Sequence, residues 1–154
     1  MTAQDTGLTL GPFRIDAAGG LVPIEPGAPP NFTFRWRDRL VRAALMPDNP
    51  PDRRLCLRAR LGRMPSSARP AEAARRRPGF TLLRDLHAAL PADWQVGLAP
   101  DHGVLLEATR AMATPITASG LVGEVTCFLL ALAPYLDLLD EAGLTAASAG
   151  TANT

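Results

Sequence analysis

Between Leu55 and Leu61 every second residue is apolar: Leu55, Leu57, Ala59 and Leu61 share one parity, and Cys56, Arg58 and Arg60 the other. A period of two over this length predicts a β-strand with one dry face and one wet face. Such a strand belongs in an antiparallel sheet whose apolar face is covered by a second layer. The same parity occurs upstream, where Phe32, Phe34 and Trp36 alternate with Thr33, Arg35 and Arg37. Beyond Asp38 the spacing of Leu40, Ala43 and Ala44 suits either strand or helix. The aromatic residues ahead of it favour a strand that bends near Asp38.

Around these strands the punctuation is clear. Phe13 and Ile15, then Gly19-Gly20 and "LVPI", predict a hairpin, and Glu25 to Asn31 a proline-rich loop. Asp48 to Asp52 predicts a turn. Residues 66–79, basic and bounded by prolines, read as a mobile loop. A short helix is expected from Phe80 to Leu90, with Phe80, Leu83, either Leu86 or His87, and Leu90 along one side and Pro91 ending it. "WQVGL" and "VLLEATRAM" form a second hairpin with Asp101, His102 and Gly103 at its tip. A long helix follows, with Leu121, Val125, Phe128, Leu129, Leu132, Leu136 and Leu139 on one stripe and Pro134 interrupting it. Residues 143–154 have the small polar composition of a disordered tail. The expected fold is therefore α+β: one domain over residues 1–142, an antiparallel sheet with a short helix and a long C-terminal helix packed on one face.

Charge is divided along the chain. Residues 1–78 hold 14 arginines against 7 acids, a net of +7, while residues 79–154 hold 2 against 8, a net of −6. The chain has no lysine. Its arginine, alanine, proline and glycine usage suits a GC-rich bacterial genome, which weakens any function inferred from arginine enrichment alone. Intramolecular matching of the two halves is the simpler expectation than two charged binding faces. The N-terminus lacks the basic and apolar regions of a signal peptide. The apolar run from Val125 to Leu136 is shorter than the roughly 20 residues a membrane span needs. Cys56 and Cys127 read as buried free thiols. These features predict a cytoplasmic protein with no membrane partner.

No set of residues points to a reaction. Phosphate-loop, nucleophile-elbow and metal-ligand spacings are absent, so no catalytic residue, metal or cofactor is assigned. His87 reads as a core histidine and His102 as a turn residue. Asp137, Asp140 and Glu141 read as a solvated helix end, although negative charge there opposes the helix dipole. Arg35, Arg37, Arg58 and Arg60 on one sheet face, and Arg75 to Arg77 in the mobile loop, raise the alternative of an RNA- or anion-binding module. The aromatic residues of that strand lie on the opposite parity and give no stacking platform beside the arginines. Nucleic acid is accordingly the lesser expectation.

The helix from Phe80 to Leu90, the hairpin "WQVGLAPDHGVLLEA" and the final "ITASGLVGEVTCFLLALAPYLDLLDE" together resemble the type III secretion chaperone-like fold, including YbjN-like proteins, over about residues 53–142. The resemblance implies three strands, a helix, two strands and a C-terminal helix. It also implies a non-enzymatic homodimer that holds a segment of a partner protein. Such a role assigns partner contacts to Arg35, Arg37, Arg58 and Arg60 on the sheet and to Leu121, Val125 and Phe128 on the last helix.

Overall fold

The structure, a computed structural model, describes residues 7–46 and 53–144. Its elements are β1 (Thr9–Leu10), β2 (Phe13–Ile15), β3 (Leu21–Pro23), β4 (Asn31–Trp36), β5 (Arg39–Met46), β6 (Arg53–Arg63), α1 (Pro70–Ala89), β7 (Trp94–Leu98), β8 (Gly103–Met112) and α2 (Ala118–Glu141). The expected α+β class holds. β4 to β8 form one antiparallel sheet in the order β4-β5-β6-β8-β7, and β1 to β3 form a small separate meander. The turn expected at Asp48 to Asp52 and the tail from residue 145 lie outside the described residues.

Parity explains the layers. The inner residues Val41 and Ala43 of β5, Leu55, Leu57, Ala59 and Leu61 of β6, and Val104, Leu106 and Ala108 of β8 are fully buried. On α2 the stripe Leu121, Phe128, Leu132, Leu136 and Leu139 meets this face, while α1 contributes Leu86. Trp94 of β7 joins the layers, with its ring 5.1 Å from Phe128 and 6.0 Å from Tyr135. Among the described residues no helix lies on the outer face of the sheet, where Arg42 and Arg58 are exposed.

Arg37 and Asp38 form the two-residue connection between β4 and β5, and both adopt left-handed backbone, φ 48° and 60°. That geometry matches the twist of a tight hairpin and resolves the helix-or-strand ambiguity in favour of strand. The meander is tied to the start of α2. The Asp16 carboxylate accepts the N–H groups of Ala18 and Gly20 at 2.9 and 2.7 Å, and Ala118 N–H donates to Gly19 C=O. Phe13 anchors the meander in the core at 1% exposure.

Two boundaries differ from expectation. Residues 66–79 are not a loop throughout, because α1 begins at Pro70. A proline at the first helical position leaves no orphan N–H, and the Ala- and Arg-rich run behind it favours helix. Pro78 removes one helical hydrogen bond without ending the helix. Gly79 permits close packing there, since a Cβ would lie 3.0 Å from Met64 Cε. At the other end Gly143 takes φ 75° and Leu144 is buried, its N–H donating to Leu139 C=O, so the fold runs past residue 142. α2 itself is 24 residues long and contains the expected stripe from Leu121 to Leu139, with Pro134 inside it. It has the length and apolarity of a membrane-crossing helix by composition, although its Leu121 to Leu139 stripe faces the sheet.

Candidate functional site

The arginines that share one sequence stretch do not share one surface. Arg37 sits in the hairpin turn and turns toward α2, where it pairs with Asp137 at 2.5 Å and donates to Ala133 C=O at 3.3 Å. It is therefore not on the outer sheet face with Arg35, Arg58 and Arg60, because the left-handed turn at residues 37 and 38 breaks the strand's alternation. Arg39 is buried at 4% exposure; it donates to Leu61 C=O at 2.9 Å and Arg37 C=O at 3.1 Å, and pairs with Asp140. On the outer face Arg58 pairs with Glu107 at 2.5 Å and Arg60 pairs with Asp101. Among the described residues these four ion pairs join the basic first half to the acidic second half, the intramolecular matching expected from the charge division.

These pairs set local acidity. Glu107 holds the Arg58 guanidinium above its ordinary range through its hydrogen bonds and charge. Arg60 and the Gly103 N–H hold the Asp101 carboxyl below the usual carboxylate range. Cys56, beside Glu107 on the outer face, has its thiol pushed up by burial first and by the Glu107 charge second, against the pull of Arg58. A raised thiol pKa means less thiolate at any given pH. Glu107→Gln removes the negative charge, so the Cys56 pKa falls and alkylation by iodoacetamide at pH 8 speeds up several-fold. Mass-spectrometric timing against exposed Cys127 as internal reference checks this, and an unchanged Cys56 rate removes Glu107 as a cause.

His87 is exposed rather than a core residue, because it lies on the side of α1 turned from the sheet. Cys127 is exposed rather than buried, because it falls on the outward face of α2. Among the described residues no cluster of His, Cys, Asp or Glu is placed to hold a metal.

An apolar groove lies along β4. Leu10 and Gly11 close one end, Phe32 and Phe34 form the sheet wall, and Leu121, Val122, Val125 and Thr126 form the α2 wall. It holds about 210 Å³, room for a bulky apolar side chain. Phe32 and Phe34 stack at 6.1 Å and are only half-buried, because β4 is the sheet's edge and no further strand covers them. Of the predicted partner-contact residues, Leu121 and Val125 line this groove. Phe128 does not, being 3% exposed in the core against Trp94.

The edge beside the groove presents usable backbone. Leu45 N–H donates to Pro30 C=O, and the β4–β5 register then pairs Phe32, Phe34 and Trp36 with β5. In an antiparallel ladder the alternate residues Asn31, Thr33 and Arg35 turn their N–H and C=O groups outward. No neighbouring strand takes those groups among the described residues. Sequence reasoning assigned Phe32 and Phe34 to the interior by parity. That parity holds, but their position at an edge, which leaves them reachable, depends on sheet order, and no local pattern encodes it. No protein-family model, curated protein or solved structure matches this chain.

Proposed function

We propose that this chain is a non-enzymatic protein-binding module that takes an extended segment of another protein as a sixth strand along β4. The observation that carries the reading is the outward row of backbone donors and acceptors at Asn31, Thr33 and Arg35 directly beside the apolar groove. Strand addition supplies main-chain hydrogen bonds, and alternate side chains of the guest supply selectivity. On the groove side, Phe32, Phe34, Val122 and Val125 receive apolar side chains, each buried Val, Leu or Phe contributing about 1.5–3 kcal/mol. On the opposite side stand Thr33 and Arg35, with Arg42 on the next strand. Arg35 has no ion pair among the described residues, and Arg42 has only a 3.5 Å contact to Asn31 Oδ1. The fitting guest therefore alternates apolar and acidic residues. Within residues 53–142, where the secretion-chaperone-like resemblance lies, the order is one strand, a helix, two strands and a helix, and the three strands it implies are reached only by counting β4 and β5 as well. The segment-holding role is carried over from that resemblance.

The test uses a fluorescein-labelled decapeptide alternating valine or leucine with glutamate. Anisotropy should show saturable binding that weakens at least ten-fold when lysine replaces glutamate, or when Phe34→Ala thins the groove wall. Thr33→Pro removes an N–H that faces away from β5 and that no neighbouring strand takes among the described residues, so the domain should stay folded while strand addition is blocked. Undiminished binding by a folded Thr33→Pro protein sinks the reading.

A further inference from the structure

We infer that the outer face of α1 binds single-stranded nucleic acid, holding phosphates on Arg77 and Arg84 and one base on the ring of Phe80. At 3.6 residues per turn Ala73, Arg76, Arg77, Phe80, Thr81 and Arg84 fall on one side of this helix. They line an open hollow of about 460 Å³. Phe80 is 43% exposed, unusual for a large aromatic side chain, whereas the leucines of the same helix, Leu82, Leu83 and Leu86, are half-buried or buried. The guanidinium of Arg76 lies over the ring, 5.2 Å from its centroid, and is fixed from behind by donating to Pro65 C=O at 3.0 Å. One ring face is thus backed by a cation, and the 43% of the side chain that is exposed borders the hollow.

Aromatic and cation share a surface here, which β4 denies by parity. Single strands are held by this combination, with cations tracking the phosphates and an aromatic platform under a base whatever its identity. Glu72 is engaged elsewhere, accepting the Ser66 N–H and pairing with Arg69, whereas Asp85 pairs with Arg84 itself at 3.3 Å, an exposed contact that a phosphate displaces at little cost. A lipid surface fits less well, because interfacial helices carry a broad apolar face and this stripe offers a single large apolar side chain. An acidic peptide would use the cations but leaves the ring without a role. The inference is independent of the β4 groove, since the two surfaces share no residue.

Fluorescence anisotropy with a labelled twelve-nucleotide oligo(U), titrated from 20 to about 200 mM salt, tests it. Binding should fall with salt at roughly 0.7 log units per log unit for each phosphate held. Arg77→Gln with Arg84→Gln should flatten the slope by about 1.4, two contacts' worth. Phe80→Ala should weaken binding about ten-fold with the slope unchanged, since stacking carries no counterion release. Matching circular dichroism melts confirm that these exposed substitutions leave the fold in place, and Thr33→Pro should bind the oligonucleotide normally. No binding at 20 mM salt overturns the inference. So does binding indifferent to Phe80→Ala, equal binding of polyglutamate, or capture by anionic vesicles and not by oligo(U).

Discussion

Leu57→Ala lowers the unfolding free energy by about 3–4 kcal/mol, read from urea denaturation followed by circular dichroism. Leu57 lies mid-strand in β6, the sheet's central strand, paired with Ala43 on one side and Ala108 on the other. Its two lateral neighbours are already small, so they cannot expand into the space left behind. α2 would have to move bodily to fill it, and Leu132 and Leu136 already hold that helix to the sheet at 0% exposure. For a chain of this size the loss corresponds to a melting point lower by about 6–15 °C. Arg58→Ala, one residue away and facing water, should change stability by less than about 1 kcal/mol despite its pairing with Glu107. If the two substitutions came out equal, the assignment of inner and outer faces would be wrong.

Arg39→Met costs about 3 kcal/mol for a different reason. The β6–β8 register shifts between Arg60 and Gly62, and the bulge sets the buried Leu61 apart from the ladder. The guanidinium of Arg39 donates to the Leu61 carbonyl, to the Arg37 carbonyl within the hairpin turn, and to Asp140 on α2. Methionine matches the stem but leaves the Leu61 carbonyl buried without a donor. Asp140 is 37% exposed and recovers part of its solvation, which keeps the loss near the lower end for a broken buried pair. Arg39→Lys should recover little, because an ammonium cannot reach three acceptors with the geometry of the planar fork. A Met variant within 0.5 kcal/mol of the parent would show that the bulge does not depend on this side chain.

These two residues mark what the sequence discloses and what it hides. Leu57 could be placed inside from alternation alone, and its whole strand with it. The α+β class, the N-terminal hairpin, the second hairpin and the α2 stripe were legible for the same reason: each is written in a local period. Arg39 was not legible. It belongs to a run of arginines that reads as one charged surface, and only the tight turn at Arg37 and Asp38 separates the members into an edge cation, a helix clamp and a buried fork. The N-terminal half of α1 was hidden by its prolines, since Pro70 starts a helix and Pro78 interrupts one, yet both read alike as breakers. The groove was half visible. Leu121 and Val125 came from the helical stripe, whereas Phe32 and Phe34 needed knowledge of which strand ends the sheet.

The four bridges between the halves also bear on how the chain is made. β6 sits at the centre of the sheet, and its neighbour β8 begins only at Gly103, forty residues beyond the end of β6. A nascent polypeptide emerging from the ribosome therefore exposes a cationic hairpin with one open flank until the anionic remainder is synthesised. Asp101 and Glu107 arrive first, and Asp137 and Asp140 last. Closure is in this sense a late, C-terminal event. Fragments that stop before α2 should stay sticky and unprotected from proteases, however much strand they contain.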